Sequence, residues 1–205
     1  MQCGAVCFFF GWFMMHGMLT FFLYTFRLAA NNVIGFFLNK FLLETVVIPP
    51  SYVGTALLVA KLWDAVTTPT VGLLSDRTNS PLGRRRPWML SFGLLVGIAF
   101  VALWLVPVDA TAEQKFGYIF VIHCLQQSIT TAYYIPYAAL TMEVARSIKA
   151  RNVLTQYRFF SGGIGAIVYV LFMGILTMRS NDSLRSYQLT AILIAVIMTA
   201  GAMVW

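Results

Sequence analysis

Long apolar runs alternate with short polar turns along most of this chain. The first unambiguous run is Ser51 to Leu74, bounded by Pro49-Pro50 before it and by Ser75-Asp76-Arg77 after it. Trp88 to Val106 is the next, and Pro107, Asp109 and Glu113 mark the loop that follows. Phe116 to Met142 is longer and contains Pro136. A polar turn from Glu143 to Asn152 then carries Arg146, Lys149 and Arg151. Val153 to Met178 holds a Gly162-Gly163-Ile164-Gly165 cluster, Arg179 to Arg185 is a loop, and Ser186 to Trp205 is the last run. A helix needs about 20 apolar residues to cross the roughly 30 Å of bilayer hydrocarbon. Strands of an outer-membrane barrel would instead read as alternating segments of roughly ten residues. The pattern therefore predicts an all-α, polytopic membrane protein.

Residues 1 to 48 form one apolar region interrupted by Arg27, Asn31-Asn32 and Lys40. As a single helix it would be about 70 Å long, more than twice the hydrocarbon thickness. One arrangement is a span over roughly residues 18 to 46, preceded by an apolar tail over 1–17. The other is two spans turning near Arg27. The first is the expectation, because Phe26-Arg27 leaves almost no turn. The basic n-region of a signal peptide is missing, so a cleaved leader is not expected. This makes about six spans, with residues 18–205 as one six-helix unit.

Composition agrees with the pattern. The chain of 205 residues is 60% hydrophobic and 10% charged, against about 25% charged in a soluble domain. The formal charge of +7 would suggest a nucleic-acid partner if it were spread over a face. Most of the basic residues instead lie in two short turns, where they set orientation by the positive-inside rule, so no nucleic-acid binding is expected. Those turns, from Asp76 to Pro87 and from Arg146 to Asn152, fall between spans two and three and between four and five. Both are predicted to be cytoplasmic, as is the N-terminus. The loop from Asp109 to Lys115 belongs on the other side. The expected location is integral and multi-pass, in the plasma membrane.

Three cysteines and two histidines form no CxxC pair and no metal-ligand spacing. No GxSxG, HExxH, Walker A or GxGxxG motif is present. No catalytic residue, no metal site, no cofactor and no enzyme activity are expected.

The informative polar residues are those inside the runs. Asp64 lies mid-span, where a carboxylate costs roughly 2.5–3.5 kcal/mol on insertion scales. Lys61, three residues earlier, shares its helix face, so an ion pair is the expected way to lower that cost. Asp64 then either orients span two as half of a structural pair or binds the cation or proton that drives transport. Arg158 sits a turn inside span five. It either snorkels to the interface or binds an anionic or hydroxyl-rich solute. Tyr133, Tyr134, Pro136 and Tyr137 in span four follow a polar stripe of Gln126, Gln127, Ser128, Thr130 and Thr131. Such a stripe must face other helices or water, and interhelical hydrogen bonding accounts for most of it. Gly162, Gly163 and Gly165 read as close-packing sites.

Several of these motifs together resemble a known family. Gly72-Leu73-Leu74-Ser75-Asp76-Arg77 followed by Gly83-Arg84-Arg85-Arg86 is similar to the loop between spans two and three of the major facilitator superfamily. Trp63-Asp64, Pro69, the Gly83-to-Trp88 stretch and Ile135-Pro136-Tyr137-Ala138-Ala139-Leu140-Thr141 with Glu143 resemble a narrower group. That group is the glycoside–pentoside–hexuronide:cation symporters, which takes in melibiose carriers and sodium-dependent lysophosphatidylcholine carriers. The resemblance runs from about Gly35 to Ala166.

It implies the N-terminal six-helix half of a rocking carrier of two such halves. By position it makes Asp64 the cation-site aspartate, Arg158 the substrate-binding arginine and Asp76 the loop acid that helps lock the two halves. Thr68 stands where the family often has a second aspartate, so Asp64 and Thr68 are the expected cation or proton site. Tyr134 stands where melibiose carriers have another aspartate. Tyr134 and Tyr137 join Arg158 as expected substrate-binding residues. Lys61, Asp76, Arg77, Arg84 and Glu143 are the expected charge pairs or conformational lock. Ala138 replaces a sugar-stacking tryptophan, and Leu28 replaces an acid in span one. The coupling ion is H+ or Na+.

The leading expectation is a cation- or proton-coupled symporter of a sugar-like solute, present as an N-terminal half. It needs a C-terminal half or a second copy beside it in the lipid bilayer. The alternatives are a carrier of lysolipids or other amphiphiles, and a non-transporting membrane interaction module.

Overall fold

The computed structural model describes residues 37–81, 83–107, 109–144, 148–179 and 183–203. The expectations about residues 1–17 and about a turn near Arg27 lie outside them. Among the described residues the regular structure is entirely helical. Helix α1 is described from residue 37 and closes in a π-helical turn, Phe41–Thr45. It is followed by α2 (Pro50–Arg77), α3 (Arg86–Ala102), α4 (Ala112–Val144), α5 (Ile148–Arg179) and α6 (Ser183–Met203).

The helix starts follow local chemistry. Pro50 and Pro87 stand in the first turns of α2 and α3, where a missing N–H costs nothing and φ is already helical. The expected start of α4 at Phe116 is four residues late. Thr111 and Gln114 form a reciprocal cap. The Gln114 N–H donates to Thr111 Oγ1 at 3.4 Å, and the Thr111 N–H donates to Gln114 Oε1 at 3.2 Å. The apolar run located the buried body of the helix, whereas the cap sets where it begins. At the far end of α2, Arg77 lies in the last turn, where a cation suits the helix dipole.

At 1.5 Å per residue, α2, α4 and α5 are about 42, 50 and 48 Å long, so each outreaches the hydrocarbon of a bilayer. Among the described residues, α2 is the one helix that by length and hydropathy alone is sufficient to cross a membrane. The apolar stretch of α3 is shorter, and those within α5 and α6 are shorter still. The exposed side chains of α2 include Leu58, Leu62, Trp63, Val66, Leu73 and Leu74, an outward surface that water would not favour.

Helix α4 is central. It packs along α2 on one side and α3 on the other, and α3 packs on α6. Contacts between residues 63 and 128, 64 and 131, and 72 and 135 run the same way along both chains, so α2 and α4 are parallel. Helix α5 makes only slight contact with α4 and α6. Two clusters close the bundle. Phe37, Leu38, Phe41, Leu42, Phe100, Leu103, Trp104 and Tyr187 are among those forming a core at the end away from the basic turns. There Trp104 stacks on Tyr187 at 5.5 Å between ring centroids and 9° between planes, and Phe41 lies 5.1 Å from each. A smaller cluster of Met89, Val96, Tyr133 and Tyr137 joins α3 to α4 near the basic turns.

Close helix approach occurs at Gly97, where a Cβ would collide with Thr199 of α6. Gly162 and Gly163, expected as close-packing sites, instead face open space. Helix α5 is only slightly packed on its neighbours, although Gly165, the third of these glycines, is buried.

Candidate functional site

Asp64 and the residues around it lie on the seam between α2 and α4. Thr131 of α4 donates its hydroxyl to Asp64 Oδ1 at 2.7 Å. One residue earlier, the Trp63 indole N–H donates to Ser128 Oγ at 2.7 Å, and the Ser128 hydroxyl donates to the Cys124 carbonyl at 2.9 Å. Thr67 donates to the Asp64 carbonyl at 3.2 Å. Asp64 and Thr68 are both half-buried, and their spacing of four puts them on one helix face. Proline adds to the local polarity. Pro69 and Pro136 have no N–H, so the carbonyls of Ala65 and Ala132 lose their usual helical donors. Those two carbonyls directly follow Asp64 and Thr131.

The expected Lys61–Asp64 ion pair does not form. Lys61 is exposed, and the ion pairs among the described residues are Lys40–Glu44 and Asp76–Arg85. Spacing put the two side chains on one face of α2, but Asp64 turns toward α4, where a hydroxyl donor meets it. No described cation lies within ion-pair distance of the carboxylate. The described side chain that meets it is the neutral hydroxyl of Thr131.

Asp76 accepts from Arg85 at 3.1 Å, whereas Arg77 and Arg84 are exposed and hold no described acid. The turn brings Arg85 back over the end of α2 because Gly83 adopts φ +95°, a region that favours glycine, and its N–H donates to the Ser80 carbonyl at 2.9 Å. Trp88 fastens the turn from the α3 side. Its indole donates to Thr78 Oγ1 at 2.9 Å, and its ring stacks on Phe92.

Tyr137 is buried in the α3–α4 cluster and Tyr134 packs at its edge. Arg158 lies on α5 and Glu143 in the last turn of α4, but their side chains are outside the described residues. The structure therefore brings Asp64, Thr68 and Thr131 to one seam, and leaves Lys61, Arg77 and Arg84 apart from it. Thr131, Ser128 and Arg85 were visible in sequence only as members of a polar stripe and an arginine run. Nothing local distinguished them from their neighbours. Within that stripe the hydrogen bonding is uneven, since Gln126 Oε1 and Thr130 Oγ1 are buried without a partner.

Residues 25–205 match the family model described as MFS/sugar transport protein. The chain is 31% identical over 149 residues to the sodium-dependent lysophosphatidylcholine symporter 1 of Xenopus tropicalis, covering 72% of this chain and 28% of the relative. It is 31% identical over 181 residues to an uncharacterized symporter of Synechocystis, covering 85% and 33%. It is 31% identical over 160 residues to the sphingosine-1-phosphate transporter MFSD2B of Mus musculus, covering 77% and 32%. The chain thus spans about a third or less of the length of these relatives. An apolar helix with a carboxylate, Asp64, on its seam, an arginine turn tied back by Gly83 and a match over residues 25–205 agree. The chain belongs to the MFS/sugar transport protein family of the major facilitator superfamily.

Proposed function

We propose that the chain is the N-terminal, six-span half of a cation-coupled symporter whose solute is a phosphate-bearing amphiphile of the lysolipid class. Asp64 is the cation site, and the observation that carries the reading is its hydrogen bond from Thr131 with no described counter-ion. In an apolar seam such a carboxylate is stabilised by a bound cation more than by any group already present. Thr68 and Thr131 supply neutral oxygens beside it. Cation binding there draws α2 and α4 together, and the second half of the carrier closes over the same face.

The amphiphile is favoured over a sugar by two features. The named relatives carry lysophosphatidylcholine and sphingosine-1-phosphate, each with a phosphate and a long apolar chain. In this chain Arg158, a directed phosphate donor, is followed by Phe159 and Phe160, both exposed. A charged headgroup and an apolar tail would meet both kinds of surface within three residues. The family description also mentions sugar transport, and Ala138, where a sugar-stacking tryptophan would stand, gives a sugar ring no platform. The carrier is placed in the plasma membrane with the turns at Asp76–Pro87 and Arg146–Asn152 inside.

The test is uptake by the full-length, transport-competent form in sodium and in choline medium. Radiolabelled lysophosphatidylcholine should accumulate in sodium only. Accumulation of a disaccharide without the lysolipid would overturn the substrate class. Equal lysolipid uptake in choline at fixed pH would overturn sodium coupling. For the topology, a Ser80→Cys variant should resist an impermeant thiol reagent in intact cells and react after permeabilisation.

A further inference from the structure

Two hydrogen bonds cross the α2–α4 seam at adjacent positions, and only one of them touches the proposed cation site. We infer that Trp63 and Ser128 are a positioning pair, whose hydrogen bond sets the register of α2 on α4 and so delivers the Thr131 hydroxyl to Asp64. The inference rests on the reading of Asp64 as the cation site.

The geometry is directional. Trp63 N–H donates to Ser128 Oγ at 2.7 Å, and the Ser128 hydroxyl donates to the Cys124 carbonyl at 2.9 Å. The second bond spans one turn of α4, so the serine hydroxyl is held against its own backbone with a lone pair turned outward. Trp63 is therefore tied to the backbone of α4 and not merely to a mobile side chain. The neighbouring residues in sequence complete the seam: Asp64 follows Trp63, and Thr131 lies three residues beyond Ser128, on the same side of α4. A slip or rotation of one helix against the other breaks both bonds together.

The indole has a reason to hold this contact. Trp63 is 47% exposed, beside the outward apolar side chains of Leu62 and Val66. An indole N–H facing hydrocarbon has no water to bond, so its one donor is satisfied only across the seam. Phenylalanine at the same place would pack but would not fix the register. The hydroxyl of Ser128 is likewise specific. Alanine removes the acceptor, while threonine keeps it and the bond to the Cys124 carbonyl.

The half-saturating sodium concentration for uptake by the full-length, transport-competent form tests this. Thr131→Val removes one oxygen beside Asp64 and should raise that concentration. Interhelical hydrogen bonds in membranes contribute about 0.6 kcal/mol on average and about 1.7 at most, which corresponds to about three-fold to about twenty-fold in the half-saturating concentration. Trp63→Phe and Ser128→Ala should each raise it in the same direction, and Ser128→Thr should keep the unmodified value. In the Thr131→Val background neither Trp63→Phe nor Ser128→Ala should add anything. An unchanged sodium requirement in both single variants would overturn the inference, as would the same rise with and without Thr131. Trp63→Phe retains the ring and its packing, so it remains informative if Ser128→Ala fails to insert. Asp64→Asn is measured alongside, and unaltered sodium-dependent uptake there would sink the cation-site reading instead.

Discussion

The end of the bundle away from the basic turns and the α2–α4 seam are built on opposite plans. The first joins Phe41 of α1, Phe100 and Trp104 at the end of α3, and Tyr187 of α6 in a buried aromatic cluster. Its polar capacity is so low that the Trp104 indole nitrogen is buried without a partner. The seam joins two helices through hydroxyls, an indole and a half-buried carboxylate. Lipid tails are as apolar as leucine, so the aromatic cluster gains mainly by close packing, and small volume changes there are felt. The seam is held by directed bonds from Trp63 and Thr131 to Ser128 and Asp64. One region keeps its helices together by packing, and the other does so by directed bonds.

Two further contacts tie the closed end to α4. Lys115 donates to the Val46 carbonyl at 3.2 Å, and the Tyr118 hydroxyl donates to the Ala102 carbonyl at 2.8 Å. Each adds a side-chain donor at a helix end, and the Ala102 carbonyl also accepts from the Leu105 N–H at 3.2 Å. Val47, immediately past Val46, adopts φ 55°, which a β-branched residue rarely takes. The strain is tolerated where Val46 is held from both sides, by Lys115 and by its own N–H on the Phe41 carbonyl.

The sharpest way to break this contrast is Asp64→Asn. Coupled accumulation of solute should be lost, while expression and thermal stability should stay close to those of the unmodified protein. Asparagine still accepts from Thr131, and no described cation is left unpaired by the lost charge. Normal accumulation against a gradient would make Asp64 structural and the seam no different in kind from the core.

The mirror-image change is Trp104→Ala, which should lower stability by about 3–5 kcal/mol and reduce the amount of folded protein without altering sodium dependence in what remains. Trp104→Phe should cost much less, because it keeps an aromatic ring and removes an unsatisfied N–H. Denaturation in detergent, followed by tryptophan fluorescence or helicity, would rank the two. A larger loss for phenylalanine than for alanine would refute the packing account.

Gly97→Leu probes the contact of α3 with α6 and should cost about 1–3 kcal/mol by overpacking against Thr199. Gly163→Ala on α5 should be neutral or slightly stabilising, since its Cβ meets open space. Thermal melts of the two variants check this, and equal destabilisation would show that α5 is packed as tightly as α3.

The smallest expected effect is that of Lys61→Ala. With no acid among the described residues bound to Lys61, the change should fall within about 0.5 kcal/mol and leave the sodium dependence of uptake intact. A loss comparable to that of Asp64→Asn would restore the ion pair that helical spacing had suggested.

Much of the molecule was legible from residue order. Apolar runs located α2 to α6 to within a few residues, because a helix buries a continuous length of chain whatever its neighbours are. Their ends were less legible. The α4 start depends on Thr111 and Gln114 recognising each other, a signal of two residues beside a run of thirty-three. The odd residue of α2, Asp64, stood out by charge alone, and the arginine turn was visible as a cluster.

What residue order determined, then, was local: which segments are helical, where a charge interrupts an apolar face, and which turn is basic. Partners were decided only in three dimensions. Lys61 was the nearest cation to Asp64 along the helix, yet Thr131, sixty-seven residues away, holds it. Arg77 adjoins Asp76, yet Arg85 pairs with it, because Gly83 turns the chain back. Helical periodicity settles which side chains share a face of one helix. The rotation and register of two helices depend on how whole surfaces interlock, down to a glycine at 97 and a serine at 128, and no single stretch of sequence contains both surfaces.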